Sequence, residues 1–408
     1  MKRTIRIFAL ALALMLFASC SAAKTYPTDD VYHPETDSPY YIDPNPSPCK
    51  LVEAESGYYF RVGYTILFAD KSTMEVMPLC SLPGCLHNAE TDEAKRELCQ
   101  AFLPKTTSSP PLVYQNGALY TCYRKRMDSE EYTLVKISPD GTERRDVLTF
   151  PDTGDIVHFR VHRGKLYYIT MSFSEKGGGR TVLWEKPLDR PREKPRELRS
   201  LERFAYSSVR DLIAYGNRLY LLEPVDEERY VLRIMDIRTR EWTEIAPFEE
   251  DETFSGIWIF IGKLMLNCYT ISDENTNVFT DDFQYAIYRC EPDGSNPEKT
   301  GLSWGNWYAD EEYAYLVDPY TGDRRDGSLR ILNRDFRQVD ELPFADWPIE
   351  GGTMVAVDVV TQNGGRQIVH IQEGEPHSMV LWYFDRPEIG SGKLQPKEFF
   401  RFVPRDYS

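Results

Sequence analysis

The sequence predicts an all-β chain folded as a single-ring β-propeller of seven blades, and three observations carry that prediction. Short apolar and aromatic runs recur along the 408 residues, of which 13% are aromatic. The 25 Gly and 27 Pro interrupt these runs at short intervals, the punctuation expected of many brief strands. An apolar strand, a glycine turn and a second apolar strand then recur at near-constant spacing.

That unit occupies residues 113–120, 161–168, 213–220 and 259–266, with turn glycines Gly117, Gly164, Gly216 and Gly262 spaced 47, 52 and 46 residues apart. Residues 307–315 keep the phase with acidic residues in the turn, while 354–360 and 58–64 supply weaker late and early copies. The second half of a unit is a strand that ends, in two copies, on Asp140-Gly141 and Asp293-Gly294; Asp-Gly favours the positive φ of a tight hairpin. Residues 231–237 and 329–333 match the strand without that turn. Four short strands in about 40 to 50 residues is the spacing of a propeller blade, which buries its faces only against neighbours. The units fall near 55–80, 112–150, 156–200, 209–248, 254–302, 304–345 and 352–403. Six or eight blades, or an array of β-sandwiches, are the alternatives. Residues around Leu51 and the run Phe399-Phe400-Arg401-Phe402 are expected to share a blade and close the ring, which removes exposed sheet edges.

The amino terminus reads as a targeting segment. Lys2, Arg3 and Arg6 precede an apolar run of 12 residues from Ile7 to Ala18, too short to span a membrane and suited to a secretory signal. The stretch Leu16-Phe17-Ala18-Ser19-Cys20 resembles the lipobox of bacterial lipoproteins. This resemblance implies a signal peptide over 1–19, a diacylglyceryl group on the Cys20 sulfur, and a chain anchored to the extracytoplasmic face of the cell membrane. An ordinary cleaved signal and an uncleaved anchor are the competing readings. Residues 20–50 follow as the lipidated cysteine and a tether, with Pro27, Pro34, Pro39, Pro44, Pro46 and Pro48 among polar residues; such a stretch is extended and semi-stiff. The propeller is expected over 51–408.

Removing residues 1–19 leaves 45 basic against 64 acidic residues, a net charge of −19. An acidic chain without a basic run excludes nucleic acid, whose phosphates must be neutralised. Anionic lipid would repel it, so membrane attachment falls to the lipid alone.

The cysteines carry the unusual chemistry. Cys80, Cys85, His87 and Cys99 form Cys-x4-Cys-x-His-x11-Cys, the first three in a loop with Pro78, Pro83 and Gly84. Residues 91–100 read as a short helix with Thr91 as a candidate N-cap. An oxidising compartment favours a disulfide clamp among Cys80, Cys85 and Cys99. Three thiolates and an imidazole could instead hold Zn²⁺ tetrahedrally, and partly free thiols are a third reading. Cys268 and Cys290 are expected to form a disulfide: strands paired about a centre at residue 279 would set them directly opposite. Two buried thiols are the alternative there.

The pattern Leu79-Cys80, Pro83-Gly84-Cys85-Leu86-His87, Cys99-Gln100-Ala101 after a first strand pair resembles one in uncharacterised, lipid-anchored β-propeller proteins of Gram-positive gut bacteria. With the lipobox and the blades, the resemblance covers most of the chain. It implies a propeller on the cell surface and carries no activity with it.

The other candidates are weaker. His158 and His162 lie four apart, but Val157, Phe159 and Val161 place them on a strand, where they face solvent or a neighbouring blade. Asp273, Glu274, Asn275, Asn277, Asp281 and Asp282 crowd one loop with oxygen ligands suited to Ca²⁺ but lack an EF-hand order, and a solvated hairpin is the commoner reading. Trp304, Trp307 and Tyr308 could line the channel and stack on a sugar, against a commoner role in blade cores. The run Gly177-Gly178-Gly179-Arg180 lacks the ending of a phosphate loop, and no catalytic or cofactor-binding motif is present. The expectation is a surface-tethered propeller that binds a glycan, an envelope component or a protein. The alternative is a glycan-acting enzyme with carboxylates from several blades at the channel mouth.

Overall fold

The computed structural model describes residues 25–38, 51–103, 112–124, 131–150, 155–173, 179–190, 192–203, 209, 211–226, 228–271, 285–303, 305–317, 326–349, 354–360, 365–373 and 378–403. Twenty-eight strands in these residues form seven antiparallel sheets of four, each made of consecutive strands. Blade one is β1 (Val52–Glu53), β2 (Gly57–Val62), β3 (Thr65–Asp70) and β4 (Val76–Pro78). Blade two is β5 (Val113–Gln115), β6 (Ala118–Arg124), β7 (Tyr132–Ile137) and β8 (Arg144–Phe150), and blade three is β9 (Asp155–His162), β10 (Lys165–Phe173), β11 (Gly179–Pro187) and β12 (Arg196–Arg203). Blade four holds β13 (Leu212–Tyr215), β14 (Arg218–Pro224), β15 (Tyr230–Asp236) and β16 (Trp242–Ile245); blade five holds β17 (Glu252–Phe260), β18 (Lys263–Thr270), β19 (Tyr285–Cys290) and β20 (Glu298–Lys299). The last two blades are β21 (Asn306–Ala309), β22 (Ala314–Val317), β23 (Ser328–Leu332) and β24 (Gln338–Pro343), then β25 (Met354–Val360), β26 (Arg366–Glu373), β27 (Met379–Asp385) and β28 (Lys397–Phe402).

The strand chemistry follows position in the ring. First strands are neighbours around the centre, where β1 approaches β5, β5 approaches β9, β9 approaches β13 and β17 approaches β21. Middle strands are sandwiched between blades, so β2 is buried along its whole length. Fourth strands form the rim and are exposed or half-buried along most of β8 and β24, with the charges that discourage edge-to-edge pairing. The first-to-second-strand turns Asn116-Gly117 and Arg163-Gly164 have positive φ at both residues, 51° and 68°, then 46° and 73°. That is the turn whose twist matches a two-residue hairpin.

Seven apolar clusters fill the seven blade interfaces, each drawing on two adjacent blades. The cluster between blades one and seven corrects the expected closure. Leu51 and the strand holding Phe399, Phe400, Arg401 and Phe402 do not share a blade. Instead β28 completes blade seven on β27, because the strands divide evenly into consecutive fours. The ring closes by face packing: Phe60 meets Phe400 edge-on at 5.1 Å between ring centroids, and Ile368 and Leu381 pack with Tyr58 and Leu67. Arg366 also donates to the Lys71 carbonyl across this seam.

The expected Cys268–Cys290 bridge is overturned by register. β18 and β19 pair Cys268 with Ala286 and Leu264 with Cys290. The strands therefore pair about residue 277 rather than 279, and the two sulfurs sit four residues apart along the ladder. Both are free, buried thiols in the core between blades four and five.

Candidate metal centre and docked amino-terminal segment

Two segments outside the blades carry the site chemistry. The first is the excursion 79–103 between β4 and β5. Its ends are tied into blade one: Leu79 N–H donates to Ile66 O at 3.0 Å, Ile66 N–H to Ala101 O at 2.9 Å and Leu103 N–H to Tyr64 O at 2.7 Å. Leu79, Cys99, Ala101, Phe102 and Leu103 fill the core between blades one and two. From blade two, Arg144 donates to Phe102 O at 2.8 Å and also to Gln100 O. A helix, α1 (Glu93–Glu97), lies within the excursion, and its N-cap is Asp92 rather than Thr91. The Asp92 carboxylate accepts from Ala94 N–H and Lys95 N–H, which satisfies amides that a helix start leaves unpaired.

This fold gathers Cys80, Cys85, His87 and Cys99. One ligand atom from each lies within 4.8 Å of all the others, and His87 Nδ1 is 3.5 Å from Cys99 Sγ. His87 has φ +51° and Gly84 φ +72°, so the loop reverses between Cys85 and the imidazole. Cys99 is buried and Cys80 and Cys85 are half-buried. The expected disulfide clamp is not formed: Cys80, Cys85 and Cys99 are all free thiols. Burial raises the Cys80 thiol, but N–H groups of Leu82 and Gln100 and hydrogen bonds from Cys85 and Cys99 outweigh it and hold it below its ordinary value. Burial pushes the Cys99 thiol up to about 12.

The second segment, residues 25–38, belongs to the stretch expected to form an extended, semi-stiff tether, and is docked on the ring instead. It lies across the first-to-second-strand turns of blades two, three and four. Arg163, in the blade-three turn, spends all five of its N–H donors here. Nε and Nη2 grip Asp37 at 2.8 and 3.0 Å, while Nη1 donates to Pro27 O and Asp29 O at 3.0 and 2.8 Å and Nη2 to Val31 O at 2.8 Å. Arg163 and Asp37 are both buried. His162, at the end of β9, accepts Ser38 N–H on Nδ1 at 3.0 Å and donates from Nε2 to Gly216 O at 2.8 Å. These bonds require the neutral imidazole, and burial pushes its pKa down to about 4. Gln115 from blade two donates to Thr36 O at 2.5 Å, and Tyr32 stacks on Tyr215 of blade four at 6.0 Å.

The remaining candidates separate. His158 and His162 lie on β9 as expected, but His162 is committed to the docked segment. Trp307 and Tyr308 are buried in blade cores. Trp307 stacks flat on Trp258 at 5.5 Å and donates Nε1–H to Ser303 O at 3.1 Å. Tyr308 donates to Asp358 Oδ1 at 3.2 Å. Neither ring offers a face to a sugar, because Trp307 packs against blade five and Tyr308 against blade seven. Trp304, Cys20, Cys49 and the acidic candidates between 273 and 282 lie outside the described residues. Several buried carboxylates are held by cations: Glu185 by Lys165 and Arg240, Glu223 by Arg199, Asp310 by Arg386. They are structural pairs.

Residues 25–38 escaped sequence reasoning, although one signal was present. An arginine occupies the left-handed turn position at 163 where the blade-two copy has Asn116, and arginine gains nothing from that backbone.

The fold and this geometry define a seven-bladed β-propeller module. No family model matches the chain, and no curated protein matches it. Among solved structures it is similar to the β-propeller domain of the Trilobed protease from Pyrococcus furiosus, described as having an open velcro topology. The two are 12% identical with a TM-score of 0.46, over 88% of this chain and 96% of that one. It is also similar to an AfRom2 CNH domain, at 7% identity and TM-score 0.43 over 88% and 97% of the chains. For an acylaminoacyl peptidase of Pyrococcus horikoshii the values are 10%, 0.48, 88% and 50%. No activity or ligand is carried over from them.

Proposed function

We propose that the protein is an extracytoplasmic propeller, anchored through a lipid on Cys20, that serves as a non-catalytic binding module for a protein partner. One observation carries this reading: residues 25–38 are clamped on the turns of blades two to four, immediately after the lipobox-like Cys20. Thr25 lies five positions after Cys20, a reach of at most about 18 Å when extended. A lipid on Cys20 would therefore hold that mouth of the ring toward the bilayer and turn the opposite mouth outward. Two acyl chains give durable attachment, and the mature charge of −19 argues against adhesion through anionic headgroups. A protein partner is favoured over a glycan because Trp307 and Tyr308 are buried in blade cores.

Two measurements test the reading. Cys20→Ser should move the chain from the membrane to the soluble fraction; a variant that is processed normally and stays bound at high salt would remove the anchor. In vesicles, photoactivatable phospholipid should label peptides containing Asn116, Lys165 and Arg218. Labelling centred on the β14–β15 connection near Val225 would reverse the orientation.

A further inference from the structure

We infer that Cys80, Cys85, His87 and Cys99 bind one Zn²⁺ as a closed, structural site that pins the excursion 79–103 to blades one and two. The argument is geometric. In a tetrahedral zinc site with Zn–S near 2.3 Å and Zn–N near 2.05 Å, neighbouring sulfur atoms stand about 3.8 Å apart and a sulfur and nitrogen about 3.6 Å apart. His87 Nδ1 and Cys99 Sγ are 3.5 Å apart, and no pair in the group exceeds 4.8 Å. A small contraction around an ion completes the tetrahedron. A disulfide, by contrast, would use two of the three sulfurs and leave the third sulfur and the imidazole unexplained.

The surroundings match those of a thiolate site. N–H groups of Leu82 and Gln100 aim at the Cys80 sulfur, and the N–H of Ala101 at the Cys99 sulfur; such outer donors orient metal-bound thiolates and offset their charge. Zinc with three thiolates and a neutral imidazole carries one net negative charge, and Arg144 lies beside it, bound to the carbonyls of Gln100 and Phe102. Ser81 N–H and Oγ–H both bond Gln100 Oε1, at 2.9 and 3.0 Å, which joins the two ends of the loop. Four protein ligands leave no open position, so the ion has a structural role. Binding displaces the thiol protons and forms four metal–ligand bonds without electron transfer.

The test uses the purified full-length chain. Elemental analysis should find one zinc per chain, and a mercurial that blocks thiols should release it. Co²⁺ should replace it and give the intense visible d–d absorption of a tetrahedral thiolate-rich site. His87→Cys should retain the metal as a four-thiolate site, while Cys85→Ala should lose it. Should Cys85→Ala fail to fold, the unmodified chain still decides the matter. Zinc well below one per chain, or a non-reduced peptide joining two of Cys80, Cys85 and Cys99, would overturn the assignment.

Discussion

The excursion 79–103 and the docked segment 25–38 both lie on the propeller without belonging to a blade, yet they are held by opposite means. Segment 25–38 is bound by its own backbone: carbonyls of Pro27, Asp29 and Val31 receive one guanidinium, and the Asp37 carboxylate balances its charge. The excursion has bonded ends, but its middle converges on three sulfurs and an imidazole, groups that bond one another poorly. The first segment is complete in itself. The second gathers donors around a point that a cation would fill, so removing that cation should separate the two.

The largest expected effect is there. Zinc removal by a strong chelator should loosen 79–103 alone, since structural zinc in isolated fingers is worth about 10 kcal/mol and here holds one local unit. Hydrogen exchange at the Ile66 and Leu103 amides, whose acceptors are Ala101 O and Tyr64 O, should lose protection by roughly 100-fold. The Arg163 amide, bonded to Thr36 O, should keep its own. Equal loosening of both segments would end the comparison.

Arg163→Met should do the reverse. It leaves the Asp37 carboxylate, 1% exposed, without its cation, and breaking a buried pair costs about 3 to 5 kcal/mol. Residues 25–38 should become open to proteolysis while the excursion keeps its metal. Arg163→Lys, which restores the charge but not the fork, should fall between.

What was legible beforehand divides along the same line. Periodicity revealed the blades, since Gly117, Gly164 and Gly262 fill the same turn with φ between 68° and 73°, and one backbone requirement recurs at each. The Cys-His spacing marked the excursion because ligand residues are scarce and easily seen. Register was not legible: a two-residue difference in the centre of β18 and β19 moved Cys290 from Cys268 to Leu264 and kept both sulfurs on one buried face, so hydrophobic pattern could not choose between registers. Docking of 25–38 was hidden for another reason. Its acceptors are main-chain carbonyls, which every sequence supplies.

Acid gives a third separation. His162 is neutral in the folded protein, with its pKa pushed down to about 4 by burial, while Asp37 favours its charged form and Arg163 and Lys165 oppose it. An unfolded histidine titrates near 6.5. The unfolded chain therefore takes up the extra proton between pH 6.5 and 4, so this contribution is whole above 6.5 and is lost as pH falls through 4. The shift corresponds to about 3 kcal/mol. His162→Asn should flatten the pH dependence of stability in that window by about one proton; an unchanged slope would show that the imidazole is not bound as described.

The smallest effect isolates one contact of the docked segment. Gly216 and Gly117 both lie in first-to-second-strand turns, at the first and second loop positions, with φ of +55° and +68°, so alanine strains both backbones by about 1 kcal/mol. Their surroundings differ. A Cβ at Gly216 would lie 2.4 Å from the backbone oxygen of Asp30, whereas nothing lies within 4 Å of one at Gly117. Asp30 also pairs with Arg218 at 3.0 Å, so the segment cannot retreat without losing that bond, which at half-exposed positions is worth up to about 1 kcal/mol. Gly216→Ala should therefore cost about 1 kcal/mol more than Gly117→Ala, measured by denaturant midpoint at equal slope. The excess should vanish in the Arg163→Met background, where the segment is already released, because contacts within one network do not add. An excess that survives there would place its origin in the turn, and the docked segment would have no part in it.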